Sequence, residues 1–414
     1  MPKSHYITDP APFTHSLRTK YLTITPYCMK RIHPIDVTRG IVMIIMALDH
    51  VRDLMHTTAL TQDPTDFRTT TAALFLTRWI THLCAPSFVF LSGASAYLTL
   101  KSRCDLSQTK QFLLTRGLWL MFMEVTVINF AFWFDLQFRT IILQVIFAIG
   151  LGFVALSFLL KVSARIIGVI GAGIVFLHGL TLLVPVPQNQ GLAVVWSFFF
   201  RTNVFTITPN FTLGTLYPFI PWLGILLSGY AFGSVFEQSA PIRKKLLWRS
   251  ALLALSLFVI IRLINFYGDP FPWAVQKSEL FTFLSFINVF KYPPSLLYTL
   301  LMLGIMFILL ALGDTKPNGF TKVLATYGKV PMFYYLLHWY LIHSLMFGML
   351  FLQGFSWKDI PIGTFSFGRP PNSGVELGIV YSVWLGVVLT LYPLCRWYGK
   401  YKATHRNIKW LSYL

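Results

Sequence analysis

The chain has 414 residues, of which 55% are hydrophobic and 12% charged, and its formal net charge is +19. A soluble chain could not bury so much apolar surface, so the composition excludes an ordinary soluble domain. The positive charges lie between apolar runs and are interpreted as a topology signal, not as a nucleic-acid surface. We therefore predict an all-α, polytopic membrane protein that lies in a lipid bilayer.

Ten apolar runs, each long enough to cross a bilayer, are predicted at about 33–54, 76–99, 112–134, 139–160, 164–184, 214–237, 246–266, 294–312, 329–352 and 376–398. With the N-terminus inside, 23 of the 34 Lys and Arg residues fall on the inner side and 10 on the outer side. The positive-inside rule then predicts that both termini are cytoplasmic. This divides the chain into a cytoplasmic tail at 1–30, a transmembrane domain at 31–400 and a basic cytoplasmic tail at 401–414.

Ionisable residues cluster where the first two spans reach the outer side. Eleven residues make almost three helical turns, so Arg39 and His50 lie on one stripe of the first span, with Asp49 beside His50. Arg78 and His82 are four residues apart and share one side of the second span. A charged side chain within a bilayer is costly unless it is paired or faces a wet cavity. We therefore expect a functional site at this outer end.

Within this cluster, His50 is the candidate general base, with Asp49 orienting its ring. The competing interpretation is that these residues cap the helix end and extend to water at the membrane surface. Arg78 and His82 carry the same two interpretations. His56, six residues beyond His50, is a further candidate histidine.

A metal site is disfavoured. The residues that would form one lack the ligand spacing of zinc or iron sites: Asp49, His50, Asp53 and His56. The four cysteines have no CxxC spacing, and the chain has no Walker loop, no GxGxxG after a strand, no CxxCH and no GxSxG. We expect no metal.

Two arginines on the inner half, Arg39 and Arg116, suit a donor that carries phosphates. Asp36 lies three residues before Arg39, and pairing between the two is the alternative. The outer loops at about 185–213 and 353–375 either cover the site or serve as disordered connectors.

Other polar residues lie within or at the ends of apolar runs: Glu124, Asn129, Ser295, His338 and His343. Glu124 needs a partner at its depth, which is either an arginine or a substrate. His338 and His343 are five residues apart and point in different directions, so we expect one in a cavity and the other in a buried hydrogen bond.

Five runs resemble bacterial members of the heparan-alpha-glucosaminide N-acetyltransferase family, within a wider group of transmembrane acyltransferases: IDVTRGIVMIIMALDHVRD, TRWITHLCAPSFVFLSGASA, LYPFIPWLGILLSGYAFG, KYPPSLLYTLLMLG and GKVPMFYYLLHWYLIH. The resemblance extends from about residue 31 to 400. It implies an enzyme that takes an acyl group from a cytoplasmic donor such as acetyl-CoA and delivers it to a sugar across the membrane. It also implies a catalytic histidine beyond the first span. The better-known members have an asparagine-type residue where Asp49 and His50 align, so His50, His56 and His82 all remain candidates.

These observations together predict a multi-pass acyltransferase of the bacterial inner membrane that moves an acyl group from acyl-CoA to a sugar or glycan acceptor. We expect the acyl group to be acetyl. His50 acts as general base or transient acyl acceptor, Arg78 and His82 stabilise charge on the carbonyl oxygen, and Arg39 with Arg116 holds the donor phosphates.

A transporter or flippase for a small polar or lipid-linked solute would explain the buried charges equally well. A non-catalytic membrane scaffold is a third hypothesis. The acceptor, the acyl chain and whether the chain forms a homo-oligomer stay open at this point.

Overall fold

The structure, a computed structural model, describes residues 31–362, 366–405, 408 and 411. The predicted tail at 1–30 and half of the predicted tail at 401–414 lie outside the described residues. The α-helices within the described part are α1 (His33–Met55), α2 (Ala72–Thr81), α3 (Cys84–Arg103), α4 (Leu106–Met123), α5 (Asn129–Trp133), α6 (Val145–Leu159), α7 (Ala164–Leu177), α8 (Gln190–Phe200), α9 (Phe219–Phe232), α10 (Ala240–Ile264), α11 (Glu279–Ile287), α12 (Leu296–Gly313), α13 (Gly319–Gly328), α14 (Pro331–Leu352) and α15 (Leu377–Thr404).

Eight helical segments among the described residues are long and apolar enough to cross a membrane: Ala72–Arg103, Leu106–Trp133, Ala164–Leu183, Phe219–Glu237, Ala240–Ile264, Leu296–Gly313, Pro331–Leu352 and Leu377–Thr404. This confirms the prediction of a multi-pass, mainly helical membrane protein. The other two predicted spans coincide with α1, which carries several charged residues, and with α6, which has 15 residues. A total of ten spans and the cytoplasmic location of both termini stay predictions.

A small sheet departs from the all-α prediction. Its strands are β1 (Thr140–Leu143), β2 (Asn203–Thr208) and β3 (Phe211–Thr215), in the order β1-β3-β2. β3 pairs parallel with β1 and antiparallel with β2. β1 occupies the start of the predicted span at 139–160, where a run as short as TIIL cannot be told from the beginning of an apolar helix. With α8, the sheet gives regular structure to most of the loop at 185–213.

Helix α1 lies at the centre of the helix bundle. It packs against α2 and α3 on one side and against α12, α13, α14 and α15 on the others, and 16 of its 23 residues are buried. A helix with this many charged residues needs protein neighbours because lipid cannot solvate the charges. α13 approaches it closely, since a Cβ atom added to Gly40 would overlap the carbonyl oxygen of Leu324 and one added to Gly328 would overlap that of Asp36. Small residues at such contacts let two helix backbones pack tightly.

The C-terminal end of α1 is held by a later segment, residues 366–376. The N–H of Val375 donates to the carbonyl oxygen of Met55 at 2.7 Å. The buried Arg369 guanidinium donates to the carbonyl oxygens of Leu54 at 3.1 Å and His56 at 2.9 Å. The last carbonyl groups of a helix lack partners within the helix, so these bonds complete the end of α1.

Candidate functional site

The carboxylate of Asp49 binds two arginines. Its Oδ1 accepts a hydrogen bond from Arg52 at 2.9 Å, and its Oδ2 accepts one from Arg78 at 2.6 Å. Arg52 also donates to Asp53 at 2.6 Å. The Arg78 bond joins α2 to α1, so the predicted cluster of charged residues on these two helices forms an ion-pair network. Both oxygens of Asp49 are engaged by arginines and no described hydrogen bond joins it to His50, so the expectation that Asp49 orients His50 is wrong.

His50 is oriented instead by His338. Its Nδ1 lies 2.6 Å from Nε2 of His338, whose own Nδ1 lies 3.1 Å from the carbonyl oxygen of Tyr334. A carbonyl oxygen only accepts, so Nδ1 of a neutral His338 carries the hydrogen and its Nε2 accepts one from His50. This assigns the hydrogen of a neutral His50 to Nδ1 and leaves Nε2 unprotonated. Trp339 stacks on His50 with ring centres 4.0 Å apart and fixes the plane of the ring.

A cavity of about 40 Å³ lies against His50 and Asp49. This volume admits a group of only a few non-hydrogen atoms. Other residues that line it come from five different parts of the chain and include Cys84, Gln144, Tyr217, Lys291 and Tyr335. The imidazole ring of His50, whose Nε2 is unprotonated, therefore borders a small cavity that is lined in part by polar side chains.

Two further cavities continue from this space towards the other end of α1. The second, of about 210 Å³, is mainly apolar and shares Phe88, Val145 and Tyr335 with the first. The third, of about 410 Å³, shares Arg39 and Arg116 with the second. Arg39 precedes His50 by 11 residues, so the row of cavities follows α1 for about 16 Å at a rise of about 1.5 Å per residue.

Five cationic residues and one acidic residue line the third cavity. Its ionisable lining residues are Arg31, Arg39, Arg116, Lys329 and Lys402, with Asp36 as the acid among them. Arg39 donates to the carbonyl oxygen of Leu91 at 3.0 Å and to Oγ of Ser95 at 2.7 Å, and the alternative ion pair between Arg39 and Asp36 does not form. A concave surface with this excess of positive charge favours a polyanionic ligand. We refer to it as the cationic vestibule.

The other two candidate histidines lie outside the cavity at His50. His82 is buried beside Tyr298, with ring centres 5.8 Å apart, and its carbonyl oxygen accepts a hydrogen bond from the Tyr298 hydroxyl at 2.8 Å. His56 follows the end of α1, where its Nδ1 lies 3.0 Å from Oγ1 of Thr58. Neither lines any of the three cavities. The structure thus brings His50 together with His338 and leaves His56 and His82 apart from them.

Glu124 and Asn129 fasten one wall of the site. Glu124 lies in a π-helical turn, Glu124–Ile128, between α4 and α5, and its Oε2 accepts the N–H of Phe147 at 3.3 Å. That N–H belongs to the first turn of α6, where a helix favours negative charge. Asn129 donates to the carbonyl oxygen of Glu124 at 2.7 Å and accepts the N–H of Ile142 at 2.9 Å. Glu124 forms no ion pair with a described arginine, and both residues hold the strand and helix that flank Gln144.

Ser295 and His343 also have local structural contacts. Oγ of Ser295 accepts the N–H of Tyr298 at 2.9 Å, which caps α12, and donates to Asp269 at 2.7 Å. His343 is buried, with Nδ1 3.0 Å from the carbonyl oxygen of Ala131. Of the two histidines on α14, His338 reaches the site and His343 makes the buried hydrogen bond.

Sequence reasoning missed four residues of the cavity at His50: Gln144, Tyr217, Lys291 and Tyr335. Tyr217 and Lys291 each precede prolines at the start of an apolar run, which was the only signal available for them. Gln144 was hidden within an apolar run, and Tyr335 has the spacing of an ordinary aromatic core residue. The described residues contain no group of three or more His, Cys, Asp or Glu side chains placed to bind a metal ion.

Comparison with known proteins identifies one family model, described as heparan-alpha-glucosaminide N-acetyltransferase, catalytic, which matches residues 31–262. This confirms the resemblance seen in the sequence. A search of curated proteins found no match.

Proposed function

Because this chain belongs to the heparan-alpha-glucosaminide N-acetyltransferase catalytic family, we propose that it is a membrane acetyltransferase that uses acetyl-CoA as donor. The nucleotide end of the donor binds in the cationic vestibule, which faces the cytoplasm, and the thioester lies beside His50. The acceptor is the hydroxyl or amino group of a sugar or glycan that approaches from the extracytoplasmic side. The cell membrane of a bacterium, the inner membrane, is the proposed location.

The row of three cavities is the observation that supports this function. A CoA thioester is a long ligand with phosphates at one end, an extended pantetheine arm and a small acyl group at the other end. The cavities offer the same order of properties: cations around Arg39 and Arg116, then a mainly apolar passage, then a space of about 40 Å³ at His50. A space of this size fits a short acyl group such as acetyl.

His50 is the general base in this proposal. Its Nε2 takes the proton from the acceptor hydroxyl or amine as that group attacks the carbonyl carbon of the thioester. The carbon–sulfur bond then breaks, the carbonyl is restored, and the CoA sulfur leaves as a thiol after His50 returns the proton. His338 holds the hydrogen of His50 on Nδ1 throughout, which keeps Nε2 available.

The test is acetyl transfer by the purified full-length protein in detergent, with acetyl-CoA as donor and glucosamine as acceptor probe. We expect calorimetry to detect acetyl-CoA binding. Replacing His50 by alanine should lower the rate of CoA release at least about 100-fold, because a positioned general base contributes about that much or more. His405→Ala, a histidine at the end of α15 and outside the three cavities, is the control and should leave the rate unchanged. Full activity in His50→Ala would remove His50 from the mechanism.

The same measurement separates this function from a transporter or flippase, which would also benefit from cavities through the bundle. In detergent no gradient exists, so a transporter would bind its solute without releasing CoA from acetyl-CoA. A scaffold would have no use for tight acetyl-CoA binding. Release of CoA that depends on His50 would exclude both alternatives.

A further inference from the structure

Lys291 is a buried cation that has no role in the mechanism proposed above. It is 7% exposed and lines the small cavity together with Asp49 and His50. Among the described residues no carboxylate oxygen lies within 4.0 Å of its Nζ. A buried ammonium group without an anionic partner destabilises a folded protein. A lysine at this position, without a carboxylate partner in contact, is suited to bind a ligand that carries or develops negative charge.

The local structure fixes Lys291 at the cavity. It lies in the loop 288–295 between α11 and α12, and Asp269 holds this loop on both sides of it. Oδ2 of Asp269 accepts the N–H of Phe290 at 2.9 Å and the hydroxyl of Ser295 at 2.7 Å. The Lys291 ammonium lies over the ring of Tyr292, 4.9 Å from the ring centre. The position of the amine is thus set by a closed loop and an aromatic contact.

The charges around the cavity do not balance. The carboxylates of Asp49 and Asp53 are matched by the guanidinium groups of Arg52 and Arg78. Lys291 adds a third positive charge. Burial raises the pKa of the neighbouring Tyr292 hydroxyl, but the charges of Lys291 and Arg78, together with a hydrogen bond from Lys291, lower that pKa by more, to below its ordinary value. A negative charge that forms in this space would be stabilised, and Lys291 is the cation not already paired with a carboxylate there.

We propose that Lys291 is a catalytic residue that binds the carbonyl oxygen of the acyl group and stabilises the negative charge that this oxygen gains during transfer. The inference rests on the proposed acetyltransferase function. As the acceptor forms its bond to the carbonyl carbon, the π electrons of the carbonyl move onto oxygen, which the Lys291 ammonium contacts. The proton of the acceptor goes to Nε2 of His50. When the electrons return, the carbon–sulfur bond breaks and CoA leaves as the thiol.

This assignment replaces the role that the sequence gave to Arg78 and His82. The guanidinium of Arg78 is bound to Asp49 at 2.6 Å, and His82 does not line the cavity. Lys291 meets both conditions that the role requires, a place at the cavity and a charge free of a carboxylate partner among the described residues.

The experiment compares Lys291→Met, which keeps the length of the side chain without its charge, with Lys291→Arg and with Lys358→Met as control. Lys358 is an exposed lysine of another outer loop. Each purified full-length variant is tested for acetyl-CoA binding, for CoA release with glucosamine as acceptor probe, and for thermal stability. We expect Lys291→Met to bind acetyl-CoA within about 3-fold of wild type and to turn over about 100-fold or more slowly. Lys291→Arg should recover part of kcat, and the control should match wild type.

Thermal stability supplies a readout that is independent of activity. Because an unpaired buried charge is removed, Lys291→Met should have a Tm equal to or higher than that of wild type. A lower Tm would indicate that Lys291 stabilises the fold and would overturn the argument from its missing partner.

Two other outcomes also contradict the inference, and they differ from a failure of the proposed function. Lys291→Met with a normal kcat would remove Lys291 from the chemical step. A normal kcat with a raised KM for glucosamine alone would make Lys291 an acceptor-binding residue instead. A wild-type protein that neither binds acetyl-CoA nor releases CoA would overturn the proposed function itself, and the role of Lys291 with it.

Discussion

A hydrogen bond between two histidines that are 288 residues apart in the sequence determines which nitrogen of His50 is free. His338 can accept from His50 only while its own Nδ1 donates to Tyr334. If His338 were absent, His50 could carry its hydrogen on either nitrogen, and its ring would lose one of two contacts that orient it. His338 is therefore a positioning residue for the proposed base.

We predict that His338→Phe lowers kcat about 10-fold or more, since an unoriented base contributes less to proton transfer. His338→Gln should recover part of kcat, because its amide oxygen can accept from Nδ1 of His50. The measurement is the pH dependence of kcat/KM, in which activity falls as His50 becomes protonated at lower pH. His338→Phe should shift this acidic limb relative to wild type. Equal loss in both variants with an unshifted profile would indicate a purely structural role.

The site could be predicted from the sequence only in part, for physical reasons. Asp49, Arg78 and His50 could be found because charged residues within an apolar run are conspicuous and because helical periodicity places them at one end. Their partners could not be assigned. Asp49 adjoins His50 in the sequence, yet the side chains of neighbouring helical residues point about 100° apart. Both carboxylate oxygens of Asp49 accept hydrogen bonds from arginines instead. His338 was a candidate, but no local pattern indicates a contact across 288 residues.

Among the secondary-structure elements, α1 shows how a charged helix is accommodated within a membrane protein. Its charged residues at both ends face protein neighbours and cavities, and close contact with α13 at Gly40 and Gly328 completes the enclosure. Helix α13 has ten residues and was not predicted as a span. The tight contact explains how a short helix can cover the N-terminal half of α1.

Gly40→Ala should separate α1 from α13, because the added Cβ overlaps backbone that cannot rotate away. Overpacking of this kind typically costs about 1–3 kcal/mol. We expect a lower Tm in detergent and less monodisperse protein by size-exclusion chromatography. Gly378→Ala is the matched control, since this exposed helical glycine has no atom within 4 Å of an added Cβ. It should be neutral or slightly stabilising, as alanine favours helix. Equal behaviour of the two variants would contradict the close contact.

Apolar periodicity identified most of the helices with only small errors at their ends. The largest differences were at the small sheet, where β1, β2 and β3 replaced expected helix or loop. These strands have four to six residues, and the pairing of β1 with β3 joins segments about 70 residues apart, whereas β2 and β3 form a local hairpin. Strands this short leave little periodic signal in a single sequence.

For the molecule as a whole, the row of cavities predicts that the two ends of a donor are recognised independently. Arg116→Gln should weaken acetyl-CoA binding about 10-fold, because charge-assisted hydrogen bonds contribute about 1.5–3 kcal/mol. Binding of acetyl-pantetheine, which lacks the phosphates, should be unchanged. Calorimetry with both ligands measures this difference, and Lys101→Gln, an exposed lysine at the end of α3 and outside the vestibule, is the control. Equal loss for both ligands would contradict phosphate recognition by Arg116.

The family match ends at Arg262, but the site does not. Lys291 and His338 both follow the matched region, whereas Asp49 and His50 lie near its start. Lys291 lines the same cavity as Asp49 and His50, and His338 is hydrogen-bonded to His50. The proposed catalytic arrangement therefore needs residues from both sides of Arg262.

The central position of α1 also has a consequence for biosynthesis. A ribosome completes α1 before α12 to α15, which pack against it in the finished protein. During translation the acidic and basic side chains of α1 therefore lack most of the neighbours that they contact in the folded protein. Arg369, which binds the end of α1, appears only after more than 300 further residues have been made. We expect that truncated chains that end before α14 are degraded by quality-control proteases and do not accumulate as partial enzymes.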